Sequence, residues 1–332
     1  MDSQLNQSHY CIRNSSSSCL EKSGSRKVDV IIYTCAAVLI LLTVCGNLLV
    51  IISVCHFKQL HTPTNLSILS LAVSDFLVGV FVMPFHFIQM IESCWLFGLT
   101  LCKCFAFFSV QVPTLSIQNV TLIAVDRYFA LNNPFLYFKT VSLNVMLLST
   151  SLLWLMSILY SFAVFYTGGV VYDPSCLGKC YIIMSGDWPM ADLILMFVLP
   201  CSIIIFLYVQ VFVIVRRHAN AIRKAKKQEI TENTKHTTDA LTSERKAAKA
   251  LCTLVFVFLA CLIPLYIYML AAATSSTFYD VIDKFIILFN LNSSLNPIIY
   301  AFSYSWFKKT TKLILTCQIF NTDSSLMNVH LN

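Results

Sequence analysis

The sequence predicts an all-α membrane protein, a bundle of seven transmembrane helices. Three observations carry that reading. Of its 332 residues 57% are hydrophobic and only 12% charged, against about a quarter charged in soluble domains. Seven apolar runs, at 28–55, 65–91, 101–125, 143–167, 189–215, 248–273 and 281–304, are each long enough to cross a bilayer. The odd number puts the termini on opposite sides, and Lys and Arg choose the orientation. With the amino terminus outside, sixteen of the 23 Lys and Arg fall on the cytoplasmic side and seven outside. The net charge of +7 is therefore an expression of topology and gives no argument for nucleic acid.

Residues 1–27 are polar, unlike a cleavable leader. They carry Asn6-Gln7-Ser8 and Asn14-Ser15-Ser16, both glycosylation acceptor patterns, so an extracellular glycosylated tail is expected. The transmembrane domain follows over 28–304. Span one carries Gly46-Asn47, whose amide needs a partner on a neighbouring helix. Span two carries Asp75, then Pro84, which should kink it, and His86 close to that kink. His86 is either an interhelical hydrogen-bonding residue or a pocket wall.

Span three runs from Cys102 to Asp126-Arg127-Tyr128, roughly 37 Å of helix. One end offers a thiol to the outside and the other a charged triplet to the cytoplasm. The second inner loop, Leu131 to Lys139, contains Pro134 and ends that helix. Span four holds Trp154, read as a packing residue. Span five contains Asp192, Pro200 and Tyr208, and runs on into Arg216-Arg217-His218.

The third inner loop, 219–243, is polar and basic with a Thr-rich stretch, and reads as a flexible, phosphorylatable linker. Span six holds Phe258, Cys261 and Pro264; span seven holds Asn292 and Asn296-Pro297-Ile298-Ile299-Tyr300. Residues 305–332 form a cytoplasmic tail. It opens with an amphipathic helix around Trp306-Phe307-Lys308-Lys309, and Cys317 near its end is a candidate palmitoylation site.

Six cysteines, Cys11, Cys19, Cys94, Cys102, Cys176 and Cys180, fall outside, and their spacing leaves fifteen pairings open. Cysteines within spans, Cys104 among them, read as small packing residues. Enzyme signatures are missing: there is no H-E-x-x-H, no phosphate-cradling glycine loop and no G-x-S-x-G. The halves of the chain do not repeat, as those of many transporters do.

Loops, tail and helix ends set aside, only Asp75 and Asp192 are acids placed inside spans. Such groups default to functional hypotheses. Asp75 lies within range of the Asn47 and Asn296 helices, a polar cluster able to hold water or a small cation, or acting as helix glue. Asp192 lies eight residues before Pro200, about 12 Å towards the outside. It is either the counter-ion of a cationic ligand, flanked by aromatic surface, or a solvated acid at a helix end.

The set Gly46-Asn47, Leu71-Ala72-x-x-Asp75, Cys102, Asp126-Arg127-Tyr128, Trp154, Pro200, Pro264 and Asn296-Pro297-x-x-Tyr300 resembles the landmarks of rhodopsin-like G-protein-coupled receptors. The run from Asn292 to Phe307 is similar to the fingerprint of trace amine-associated receptors. His56 to Thr64 and Ser243 to Lys249 also look like that family. The resemblance implies a plasma-membrane receptor, not an enzyme, for a small cationic amine. It also implies an olfactory role and a heterotrimeric G protein of the stimulatory class that raises cyclic AMP. It implies a Cys102–Cys180 loop bridge, with Cys11–Cys176 and Cys19–Cys94 as further tethers. No cofactor is implied beyond a sodium ion near Asp75.

Departures from the family pattern set the expected site. Aminergic members anchor the amine on a third-helix Asp seven residues after the bridge cysteine; here that residue is Ser109. A subset of fish receptors is similar in carrying its Asp on helix five, which is Asp192 here. Leu262 stands where a Trp is usual and Asn290 where an aromatic is usual. The resemblance thus implies a pocket of Asp192, Ser109, Phe108, Val112, Leu265 and Tyr266, with His86 and Asn290 beside it. For coupling it implies Asp126, Arg127 and Tyr128, with Tyr208 and Tyr300 receiving Arg127 and Glu244 restraining it at rest. Asn47, Asp75, Asn292 and Asn296 form the relay. Two rivals remain: a receptor for a non-amine ligand with Asp192 structural, and a transporter or channel.

Overall fold

The computed structural model describes residues 26–92, 95, 97–168, 180, 188–225, 252–268, 279–321 and 324–329. Six helices are long and apolar enough to cross a membrane: Lys27–His56, Pro63–Glu92, Gly98–Asn132, Leu143–Thr167, Trp188–Arg217 and Lys284–Ser303. A shorter apolar helix, Cys252–Tyr268, is the described part of span six. Together they are the seven spans expected. Span three overshoots its apolar run at both ends, because Asp126 and Arg127 find partners inside the fold and the helix need not stop at them.

Span three is the central post. It packs against spans two, four and five, while span one lies between two and seven. Two apolar clusters stack along the bundle. One, towards Arg127, gathers Ile68, Leu71, Ile117, Val120, Ile123, Ile204, Phe258, Leu262 and Tyr300. The other, towards Cys102, gathers Val82, Met83, Phe87, Trp95, Phe105 and Val112, with Phe108 and Ile287 against it. Cys102 and Cys180 are disulfide-bonded over that second cluster. Bare flanks are equally telling: Ile31, Leu41, Leu148, Leu155 and Phe206 are exposed, an outward apolar surface suited to lipid rather than water.

Glycine and proline set the close contacts. A Cβ on Gly46 would lie 2.8 Å from the Pro297 Cβ, so glycine lets spans one and seven meet. The Pro84 kink takes the form of a π-turn, Val78–Val82, just ahead of it. Leu193–Val198 does the same ahead of Pro200. A proline ring crowds the carbonyl one turn earlier, and a wider turn relieves that crowding.

Three expectations change. The second inner loop is a helix, Pro134–Thr140, started by Pro134 and capped by Asn133 Oδ1, which accepts from the Leu136 N–H at 3.1 Å. Trp154 does more than pack: its Nε1 donates to Ser70 Oγ at 3.1 Å, and Ser70 donates to Asn119 at 2.8 Å, tying spans two, three and four. Cys35, Cys45, Cys55 and Cys104 are exposed, whereas among the described free cysteines Cys201 and Cys261 are buried and Cys252 is half-buried against the core.

The amphipathic tail helix is Ser305–Leu315, with Trp306 and Phe307 buried and Lys308, Lys309 and Lys312 outward. The chain beyond it folds back: Ser324 meets His56 Nε2 at 2.9 Å, and the Val329 N–H donates to Gln59 Oε1 at 3.0 Å.

Candidate functional site

Asp192 ends the first turn of span five, directly before the π-turn that sets which face it occupies. Tyr160 of span four donates its hydroxyl to Oδ1 at 2.6 Å, and Tyr266 of span six donates to Oδ2 at 3.4 Å. Phe197 stacks on Tyr266 with ring centroids 4.3 Å apart, and Trp188 meets Tyr160 edge-on at 6.1 Å. The carboxylate is thus held by two neutral donors inside an aromatic wall and makes no ion pair among the described residues. Such a group can take a cation, with ring faces adding cation–π attraction.

Ser109 and Phe108 sit on span three, where Phe108 stacks on Phe81 at 4.7 Å and Val112 is buried in the cluster beneath Cys102. His86 and Asn290 are buried, and Leu265 is half-buried. Neither amide atom of Asn290 nor the Ser109 Oγ has a hydrogen-bond partner among the described residues.

Deeper in the bundle, Asp75 is fully buried. Ser293 donates to its Oδ1 at 2.8 Å and Ser116 at 3.4 Å, while Asn296 Nδ2 donates to Oδ2 at 2.6 Å. These donors offset the loss of water around the carboxylate and pin spans two, three and seven together. Asn47 is one step removed: its amide donates to the Thr43 and Ser293 carbonyls at 2.9 and 3.0 Å. Asn292 is buried but does not reach Asp75, and its Oδ1 has no partner among the described residues.

At the far end, Arg127 is ion-paired to Asp126, its Nε donating to Oδ2 at 3.0 Å, and it also contacts Thr64. Thr64 donates to the same Oδ2 at 2.9 Å and Tyr137 to Oδ1 at 2.7 Å. Burial and then the Asp126 charge push the Tyr137 hydroxyl above its usual range, so it stays a donor. The hydroxyls of Tyr208, Tyr300 and Tyr304 are buried with no partner among the described residues. Arg127 is therefore held by Asp126 and Thr64, while these three phenols have no partner among the described residues.

The arrangement is one of linked polar sites on a spanning bundle, with no group of three or more His, Cys, Asp or Glu able to hold a metal among the described residues. Residues 46–300 match the 7 transmembrane receptor (rhodopsin family). The chain is 36% identical over 331 residues to trace amine-associated receptor 13c of Danio rerio, covering 97% of this chain and 96% of that protein. It is 37% identical over 333 residues to trace amine-associated receptor 8b of Mus musculus, covering 96% of each. It is 36% identical over 331 residues to receptor 7d of Rattus norvegicus, covering 96% of this chain and 91% of that one. This chain belongs to the trace amine-associated receptors of the rhodopsin family.

A trace amine-associated receptor is a multi-pass plasma-membrane protein that works with a G protein and is not an enzyme. In this one, sequence reasoning passed over Tyr160, Phe197, Ser116, Ser293, Thr64, Tyr137 and Tyr304. Only Ser116 and Ser293 carried a signal, as small polar residues at helical spacing from recognised landmarks. Tyr128 is half-buried against the apolar cluster, and the hydrogen bonds that hold the Arg127 pair come from Thr64 and Tyr137 instead. Glu244, Asn6, Asn14, and the Cys11–Cys176 and Cys19–Cys94 pairs lie outside the described residues. Cys317 is exposed at the end of the tail helix, in a left-handed turn.

Proposed function

We propose that this receptor binds a small amine from the extracellular side, with Asp192 as counter-ion, and signals through a stimulatory G protein to raise cyclic AMP in an olfactory setting. The observation that carries the reading is Asp192 itself. It is an acid inside a span, held by two tyrosine hydroxyls, with no cationic partner among the described residues. A carboxylate in that setting is costly unless a cation arrives. Ser109 is neutral, so span three supplies no competing anchor, and the ammonium lies towards span five with its apolar tail towards Phe108 and Val112. The printed names of the relatives support an amine as the ligand class.

Binding favours whichever packing grips the ligand better, and only that difference shifts the population. Drawing Tyr266 and Asp192 together moves spans five and six relative to span three. The Asp75 network passes the change to span seven, and its carboxylate with the Ser116 and Ser293 hydroxyls offers the oxygen ligands a sodium ion takes. Arg127 then leaves Asp126 for the unpaired phenols of Tyr208 and Tyr300, opening a groove for the G protein, and Glu244 restrains it beforehand. The amino terminus is outside and glycosylated, the carboxyl terminus cytoplasmic, and Cys317 is lipidated.

A panel of alkylamines in a cyclic AMP reporter cell tests the reading. At least one amine is expected to raise cyclic AMP in receptor-expressing cells only. Responses that appear in another second messenger, with cyclic AMP flat, would reassign the G protein.

A further inference from the structure

The two sides of the candidate ligand site differ in chemistry. On the side of spans four, five and six stands Asp192, a charge with no ion-pair partner among the described residues. On the side of spans two, three and seven stand neutral polar groups. Ser109 follows Phe105 by four residues and precedes Val112 by three, and both belong to the cluster beneath Cys102. Residues three and four apart share a helix face, so Ser109 borders that cluster. Asn290 follows Ile287, packed on the same cluster, by three residues. It precedes Ser293 and Ser294, which bond to Asp75 and Thr43 on spans two and one. Its side chain therefore turns inward to the same region, and it is 1% exposed.

Ser109 and Asn290 together present two amide hydrogens, one amide carbonyl and a hydroxyl, none bonded among the described residues. Native interiors rarely leave such groups unpaired, because their desolvation goes uncompensated. No acid bonds to either of them among the described residues. Asp75 is reached through Ser293, one turn deeper along span seven, and both its oxygens already accept hydrogen bonds.

We propose that the ligand is a monoamine with a neutral hydrogen-bonding group, a hydroxyl or amide, at the end remote from its ammonium, and that Ser109 and Asn290 receive that group. The proposal rests on Asp192 as the amine anchor. A hydroxyl there donates to the Asn290 carbonyl and accepts from its amide or from Ser109. A plain alkyl terminus leaves all of them unpaired, and a second ammonium brings a charge with no counter-ion among the described side chains. Sites built to hydrogen-bond a substrate group discriminate strongly against analogues that lack it.

The experiment uses the purified full-length receptor in nanodiscs and reads ligand-dependent thermal stabilisation. The probes are straight-chain alkylamines, ω-amino alcohols and α,ω-diamines, matched in length from propyl to octyl. At the best length the amino alcohol is expected to bind about tenfold more tightly than the alkylamine or the diamine, the gain of one or two buried hydrogen bonds. In a Ser109→Ala/Asn290→Leu variant the ratio of amino alcohol to alkylamine affinity falls to about one. The comparison on the unaltered receptor stands even if that variant does not fold. Equal binding of amino alcohol and alkylamine, or tightest binding by the diamine, overturns the proposal, and loss of all three in Asp192→Asn would then leave the anchor standing. If Asp192→Asn changes none of the three, anchor and proposal fall together.

Discussion

Asp192 and Arg127 show how one side chain's partners decide its role. Both are charged groups in a bundle of apolar helices, but Arg127 has its carboxylate beside it, and among the described residues Asp192 has only phenols. The first is a closed pair and the second an open one. Opening the first should activate. Asp126→Asn removes the charge that holds Arg127, and losing a charge-assisted bond of about 1.5–3 kcal/mol shifts a two-state population by roughly tenfold or more. Ligand-independent signalling at matched surface expression is expected to rise, and an unchanged basal level would argue that the pair is not the restraint. Asp192 was legible in the sequence because so few acids lie within spans. Tyr160 was not, since a tyrosine in an apolar span has the same signature whether it packs against lipid or donates to a buried carboxylate.

Helices in this fold are positioned by a few close approaches rather than by amphipathic patterning. Gly46 against Pro297 is the tightest: a methyl at Gly46 would sit 2.8 Å from the proline Cβ. Gly46→Ala must push spans one and seven apart, at a cost of about 1–3 kcal/mol, and the melting temperature in detergent should fall; no change would mean the helices separate freely. That spans exist was readable from hydropathy, and the kinks from Pro84 and Pro200. That each kink is a π-turn placed before the proline was not readable, because apolar residues fill both regular and widened turns alike. The Pro134–Thr140 helix was missed for a related reason: Pro134 marks both the end of one helix and a favourable first residue of the next.

Across the whole molecule, the charge bias of the sequence points to a direction and the bundle supplies a path along it. The Cys102–Cys180 bridge marks one end and the Asp126–Arg127 pair the other, with the Asp75 network between. The proposed orientation, amino terminus outside, exposes Asn6 and Asn14 to the glycosylation machinery. Asn6→Gln and Asn14→Gln should each increase gel mobility, and a receptor indifferent to both changes and to glycosidase would argue for the reverse orientation. The fold was legible because lipid imposes a strong compositional rule. The polar network was legible only at its recognised landmarks, since serines such as Ser116 and Ser293 bond across helices that lie far apart in sequence.

The central claim is that the cation is held by Asp192 rather than by span three. Binding of an alkylamine agonist to purified Asp192→Asn, compared with a variant that also carries Ser109→Asp, tests it most directly. Removing one partner of a buried charge pair costs about 2–5 kcal/mol, so Asp192→Asn should lose about thirtyfold or more in affinity. The added Ser109→Asp should recover part of it by offering the charge from the other side. Unchanged affinity in Asp192→Asn would contradict the account.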